Sequence, residues 1–229
     1  MPFPIKFGDG DALIKLVEMM GEKEGIGSLL ADGSYRLAEH YGHPELSMSV
    51  KKQECSAYDP RGMKGIGLGY ITCNAGSHHM RAFAYDWEIR TAPSPDFRLQ
   101  YEGKPELIKN LQDLTAVVDS SGMCLFTVRA LGAPEYAAIL RAITGIPYSA
   151  DDVMRAGDRI WNLEKLFDLK VGFTKKDDAF PPRLMEPIPS GVSKGQIFEL
   201  DRILPDYYKL RGWDEEGVPT KEKLAELEL

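Results

Sequence analysis

At 229 residues the chain is long enough to bury one good core or two modest ones. With 43% hydrophobic, 10% aromatic and 28% charged residues its composition is that of a soluble globular protein, which excludes a disordered chain or a fibre. A net charge of −7, from 28 basic and 35 acidic side chains, argues against non-specific nucleic-acid binding, which needs clustered Lys and Arg; Lys51-Lys52 and Lys175-Lys176 are too short to change that.

The first helix is expected over 11–20, with Leu13, Leu16, Val17 and Met20 on one face and Gly21 as a stop. A second amphipathic stretch runs from Leu29 to Tyr41 and breaks at Gly42 and His43-Pro44, which together with the first suggests a helical hairpin. Residues 45–81 read as an irregular, site-forming segment, with glycines at 62, 65, 67, 69 and 76. Ala92-Pro-Ser-Pro95 breaks the chain, and helical spacing resumes from Pro105 to Val118, delivering Asp119 at the helix end. Pro134–Ile143 and Asp151–Phe167 are further amphipathic helices, with Asp151 as N-cap and Val153, Ile160, Leu163 and Phe167 as core positions. Residues 180–196, rich in Pro, Gly and Ser, read as a loop or strap; an apolar face returns over Leu200–Leu210, and Thr220 caps a last surface helix. The expected fold class is all-α and multihelical, with a Gly-rich irregular segment facing a cofactor.

No apolar run approaches the ~20 residues that span a bilayer, so no membrane association is expected. The start, Met1-Pro-Phe-Pro-Ile-Lys, lacks the layout of a signal peptide. Cys55, Cys73 and Cys124 are an odd, unevenly spaced set with no Cys-x-x-Cys, a poor disulfide framework that fits a reducing cytoplasm. The most informative stretch is Asp119-Ser-Ser-Gly-Met-Cys124, in which a buried-looking carboxylate, a Gly turn and a lone thiol stand together. An iron-sulfur cluster normally takes four protein ligands, so a cluster on Cys124 would need ligands from elsewhere. Cys73, His79 and Cys124 match no standard zinc spacing. Gly65-x-Gly-x-Gly lacks the strand, helix and acidic residue of a dinucleotide fingerprint.

Five blocks occur in order: Tyr58-Asp-Pro-Arg-Gly62, Gly65-Ile-Gly-Leu-Gly-Tyr70, Gly76-Ser-His-His79, Asp119–Cys124 and Gly157-Asp-Arg-Ile-Trp-Asn162. On these the chain resembles the C-terminal part of the tungsten-containing aldehyde ferredoxin oxidoreductases, from Gly33-Ser-Tyr-Arg to Tyr207-Tyr-Lys-Leu-Arg-Gly-Trp213. The resemblance implies that residues 1–48 are a helical remnant of the family's second domain and 49–229 its helical C-terminal domain. It implies that Cys124 is similar to the fourth ligand of a [4Fe–4S] cluster, the other three lying in a Cys-x-x-Cys-x-x-x-Cys segment absent here. By the same resemblance Asp119, with Gly122, Met123 and Arg81, contacts a tungsten (or molybdenum) bis-pterin. A pterin edge is rich in N–H donors and a carboxylate accepts them readily.

His79 matches a histidine near the metal that meets the aldehyde oxygen or moves a proton, and Tyr58 is a second candidate donor. Adjacent side chains of an extended segment point opposite ways, so one of His78 and His79 is expected to face the cofactor. Ala75 departs from the Arg of close relatives. The activity implied is oxidation of aldehydes to carboxylic acids with ferredoxin as acceptor, in a protein that is a homo-oligomer when complete; the family's N-terminal half is not in this chain, and a separate chain is one candidate source of it. The isolated chain is expected to be inactive. The competing reading is a non-catalytic helical module, truncated or awaiting that other half.

Overall fold

The computed structural model describes residues 3–229; Met1 and Pro2, the first two positions of the 1–48 segment and of the start read against a signal peptide, lie outside the described residues. The fold is all-α and multihelical, with one two-stranded sheet. Helix α1, Gly10–Glu22, is capped by Asp9, whose side chain accepts from Ala12 N–H at 2.9 Å. The Leu29–Tyr41 stretch is two short helices instead of one, α2 Ile26–Leu30 and α3 Ser34–His40, because the chain turns at Asp32-Gly33, where Gly33 has φ +88°. The apolar face expected of α1 is only partly covered: Leu13 (62%), Val17 (58%) and Met20 (36%) are exposed while Leu16 is half-buried, and Ile14 (60%) beside them is exposed as well.

The largest correction falls in the segment expected to be irregular. After a hairpin of β1, Ser49–Val50, and β2, Gln53–Glu54, the chain forms α4, Lys64–Thr72, in which every residue is buried. A helix that is apolar all round carries no amphipathic signal, which is why periodicity missed it. Its glycines are packing devices: a Cβ at Gly67 would fall 2.2 Å from the Phe198 ring, and one at Gly65 would fall 2.9 Å from the Glu88 carboxyl carbon. Glu88 in turn accepts from Gly65 N–H at 2.8 Å and Ile66 N–H at 2.9 Å, so a buried carboxylate closes the positive end of α4. Lys104, 2.9 Å from Glu88 Oε1, balances that charge with both side chains fully buried.

Helix α5, Lys104–Ser120, crosses α7, Ala150–Lys170, at Gly157, where a Cβ would fall 2.0 Å from the Asp113 carbonyl oxygen. The N-cap of α7 is Ser149, not Asp151; its hydroxyl accepts from Asp152 N–H at 3.1 Å while Asp152 bonds back, a capping box. Val153 is core and Ile160 packs against it, but Leu163 (58% exposed) and Phe167 (64%) face outward, contrary to expectation. Helix α6, Ala133–Thr144, buries Tyr136 and Ala137 in a satellite core with Val117, Val118 and Val153. The 180–196 strap holds one short helix, α8 Pro182–Met185, before α9, Leu200–Arg211, and the Thr220-capped α10, Lys221–Leu227.

The main core gathers Ile66, Leu68, Tyr70, Ile108, Trp161 and Phe198. A buried charge cluster locks it: Arg211, fully buried, donates to Asp113, to Asp158 at 3.0 Å, to Gln112 at 2.9 Å and to Tyr207 at 2.9 Å, joining α5, α7 and α9. Lys51 is likewise inside, 2.6 Å from Asp178 Oδ1.

Candidate functional site

The Cys73–Ser77 loop leaves α4 and turns at Gly76 (φ +82°) into a 3-10 turn, His79–Ala82, which packs on α5. His79 is half-buried there; its Nδ1 lies 2.7 Å from Ser56 Oγ, and its ring faces Tyr58 (5.4 Å between centroids) and Phe83 (6.1 Å). Burial, with His78 beside it, lowers the His79 pKa below its ordinary value and keeps the ring neutral. The two imidazoles lie near parallel, 22° apart with centroids at 6.1 Å; His78 is still extended (φ −105°, ψ 101°), and the 3-10 turn begins at His79. They differ in partners, since His78 is exposed and spends its Nδ1 on Met80 N–H at 3.2 Å.

From His79 and Tyr58 an aromatic row continues through Tyr85 (5.4 Å from Tyr58), Phe83 and Phe126 (6.1 Å from Phe83). Phe126 sits two residues beyond Cys124, so the row runs from the histidine to the cysteine turn. Helix α5 ends by a turn at Gly122, φ +72°, with Met123 N–H donating to Val118 O at 3.3 Å. Cys124 follows, exposed, and its carbonyl accepts from Thr127 N–H at 3.0 Å and Thr127 Oγ1 at 2.6 Å. The Met123 side chain turns inward onto the satellite core.

Asp119 is not buried: its side chain is 39% exposed, and Oδ2 meets Arg81 Nη1 at 3.2 Å. Arg81 also holds Glu164 at 2.7 Å through both carboxylate oxygens and lies 5.4 Å over the Trp161 ring. Its Nε is buried without a hydrogen-bond partner among the described residues. The structure thus brings together His79 with Tyr58, and Arg81 with Asp119, on elements that meet α5. Ser56, Phe83, Tyr85, Phe126 and Glu164 were missed; a serine or phenylalanine in one sequence carries no mark of such a neighbour. Cys73 is fully buried, and burial raises its thiol pKa, so it stands apart from Cys124. Among the described residues no three His, Cys, Asp or Glu side chains gather to hold a metal ion.

The residues fit one side of a larger cofactor site. An exposed carboxylate whose Oδ1 has no hydrogen-bond partner among the described residues, and an open glycine turn beside it, can engage a ligand edge bearing N–H donors. Cys124 can supply one thiolate, a minority of a four-iron cluster's ligands.

Comparison with known proteins gives the family. The family model described as "Aldehyde ferredoxin oxidoreductase, domains 2 & 3" matches residues 2–229, and the chain belongs to that family. It is 47% identical to the tungsten-containing aldehyde ferredoxin oxidoreductase of Pyrococcus furiosus over 98% of this chain, and 44% identical to that of Thermococcus kodakarensis. An aliphatic sulfonate oxidoreductase, WOR-like subunit, of Pyrococcus furiosus is 30% identical over 98% of this chain. The chain spans 38% of the length of the two aldehyde oxidoreductases. A solved structure, the active site complex BamBC of benzoyl coenzyme A reductase with 1,5 dienoyl-CoA, shares the fold at a TM-score of 0.65 and 21% identity, over 99% of this chain and 40% of that one.

Proposed function

We propose that this chain is the C-terminal portion of an oxidoreductase that converts aldehydes to carboxylic acids at a tungsten (or molybdenum) bis-pterin centre. The observation that carries it is the joint placement of His79 beside Tyr58 and of Arg81 against Asp119, the residues the family resemblance had singled out. In the balanced reaction an aldehyde and water yield a carboxylate, three protons and two electrons. Asp119 and Gly122 would hold the pterin centre, which when bound would supply the two-electron oxidation, and Cys124 would be one ligand of a [4Fe–4S] cluster that would supply a one-electron route to ferredoxin.

The protein's own residues do the rest. Asp119 accepts N–H bonds from one pterin, and Gly122 lets the backbone come close. His79, neutral near pH 7, hydrogen-bonds the aldehyde oxygen or takes a proton released as the acid forms, and Tyr58 is a second donor.

The first 48 residues belong, in this reading, with a second domain whose remainder is elsewhere, and 49–229 form the third. The bare face of Leu13, Ile14 and Val17 is where that remainder would pack, since an uncovered stripe of this kind marks an interaction surface. The missing half, on a preceding or a separate polypeptide in the same cytoplasm, brings the other cluster ligands. The whole forms a homo-oligomer. Among the described residues no helix is long and apolar enough to cross a membrane.

The test is reconstitution with a polypeptide carrying Cys-x-x-Cys-x-x-x-Cys and the sheet domain of the relatives, in the presence of tungstate. Aldehyde-dependent dye reduction by the pair, and by neither part alone, is expected. A pair that assembles and loads tungsten yet oxidises no aldehyde would favour the non-catalytic module.

A further inference from the structure

The His79 ring has one polar contact, Nδ1 to Ser56 Oγ at 2.7 Å, and Nε2 has no hydrogen-bond partner among the described residues. Ser56 is itself held firmly. Cys55 N–H, just before it, donates to Met48 O at 2.9 Å and continues the hairpin, and the Ser56 carbonyl accepts from Tyr58 N–H at 2.7 Å and from the buried Tyr70 hydroxyl at 3.4 Å. Tyr58 and Phe83 restrict the imidazole from the sides. Both partners of the contact are therefore fixed, and what remains is the direction of the proton between them.

A serine hydroxyl has one proton, and for Ser56 the acceptor it reaches among the described residues is Nδ1. Were Nδ1–H to donate instead, the hydroxyl proton of a half-buried side chain would lack a protein acceptor. With the proton on Nε2 the donor left without a protein partner is Nε2–H, but that atom is open to solvent, where water or a ligand oxygen can meet it at less cost than an orphaned hydroxyl proton inside. We propose that the Ser56 hydroxyl donates to Nδ1 of His79 and fixes the imidazole proton on Nε2, which makes Ser56 the positioning residue for His79. The inference rests on the reading of His79 as the group that meets the aldehyde oxygen. It adds that His79 presents a donor, Nε2–H, to that oxygen and not a lone pair.

The test is long-range proton–nitrogen NMR on the uniformly ¹⁵N-labelled full chain at about pH 8, above the imidazole range, where the ring is neutral. The expected spectrum has a pyridine-like Nδ1 and a pyrrole-like Nε2 for His79. In Ser56→Ala the preference for that tautomer falls about five- to tenfold, the equivalent of one net hydrogen bond, and Ser56→Thr restores it. A pyrrole-like Nδ1 in the unaltered chain would overturn the proposal even if the alanine variant fails to fold. So would a folded Ser56→Ala chain with unchanged tautomer populations. None of these readouts needs tungsten, iron or turnover, so a wrong tautomer removes Ser56 alone. The expected tautomer in a tungsten-loaded assembly that oxidises no aldehyde counts instead against the functional reading.

Discussion

Arg81 Nη1 stands 3.2 Å from Asp119 Oδ2, so the turn after α4 and the end of α5 meet across a separation of 38 residues in sequence. One carboxylate oxygen of Asp119 is occupied by the arginine and the other has no hydrogen-bond partner among the described residues. Asp119→Asn should therefore change the melting behaviour of the chain little, by well under about 1 kcal/mol, because the pair is partly exposed. In the assembled enzyme the same change should lower pterin retention, measured as tungsten per chain after gel filtration. Unchanged tungsten would remove Asp119 from the cofactor contacts.

Gly67 and Gly21 are both helical glycines with opposite prospects. A Cβ at Gly67 meets the Phe198 ring at 2.2 Å, whereas one at Gly21 has nothing within 4 Å. Gly67→Ala should destabilise by about 2–3 kcal/mol through overpacking, and Gly21→Ala should stabilise by about 0.5–1 kcal/mol through helix propensity. Urea denaturation of both variants checks the pair.

The same glycines show where reading the sequence stops. Helices with one wet face, α1, α5, α6, α7 and α9, are legible because their apolar spacing repeats with the helical period. Helix α4 is not, since every face of it is buried and its glycines resemble loop chemistry. Leu163 and Phe167 match core spacing yet face outward, since spacing reports a face without saying what covers it. Among the candidate site residues, His79, Tyr58, Asp119 and Cys124 could be named from ordered motifs, and Arg81 from its place two residues beyond one. Their partners Ser56, Glu164 and Phe83 are supplied by segments up to 83 residues distant, which no local pattern encodes.

Arg211 answers two buried carboxylates at once, Asp113 and Asp158. Arg211→Met should cost about 3–5 kcal/mol, because it leaves those charges buried with Lys109 and Lys223 as their remaining cations. A loss below about 1 kcal/mol in chemical denaturation would show that the two lysines suffice.

Asp168 is buried, with Oδ2 lacking a hydrogen-bond partner among the described residues, and burial raises its pKa above 3.8. A carboxyl whose folded-state pKa is raised contributes stability that is present below the unfolded value and lost as pH rises through the folded one. Asp168→Asn should therefore raise the melting temperature at pH about 7, by the equivalent of about 1 kcal/mol, with the gain shrinking as pH falls toward about 4. His79 acts in the opposite direction: its lowered pKa withdraws stability as pH falls below 6.5 through the folded value. Thermal melts of the variant and the parent chain at both pH values separate the two, and a variant less stable than the parent at pH about 7 would contradict the account of Asp168.

The central claim is that Cys124, Asp119, Arg81 and His79 form half of a cofactor site. Iron and tungsten content of the natively purified chain, measured together with the identity of any co-purifying polypeptide, tests it most directly. The chain alone should carry neither a four-iron cluster nor tungsten, and both should appear when a partner bearing the three-cysteine segment is present, with Cys124→Ser abolishing the intact cluster. A stable four-iron cluster on the isolated chain, or one that survives Cys124→Ser in the assembly, would contradict it.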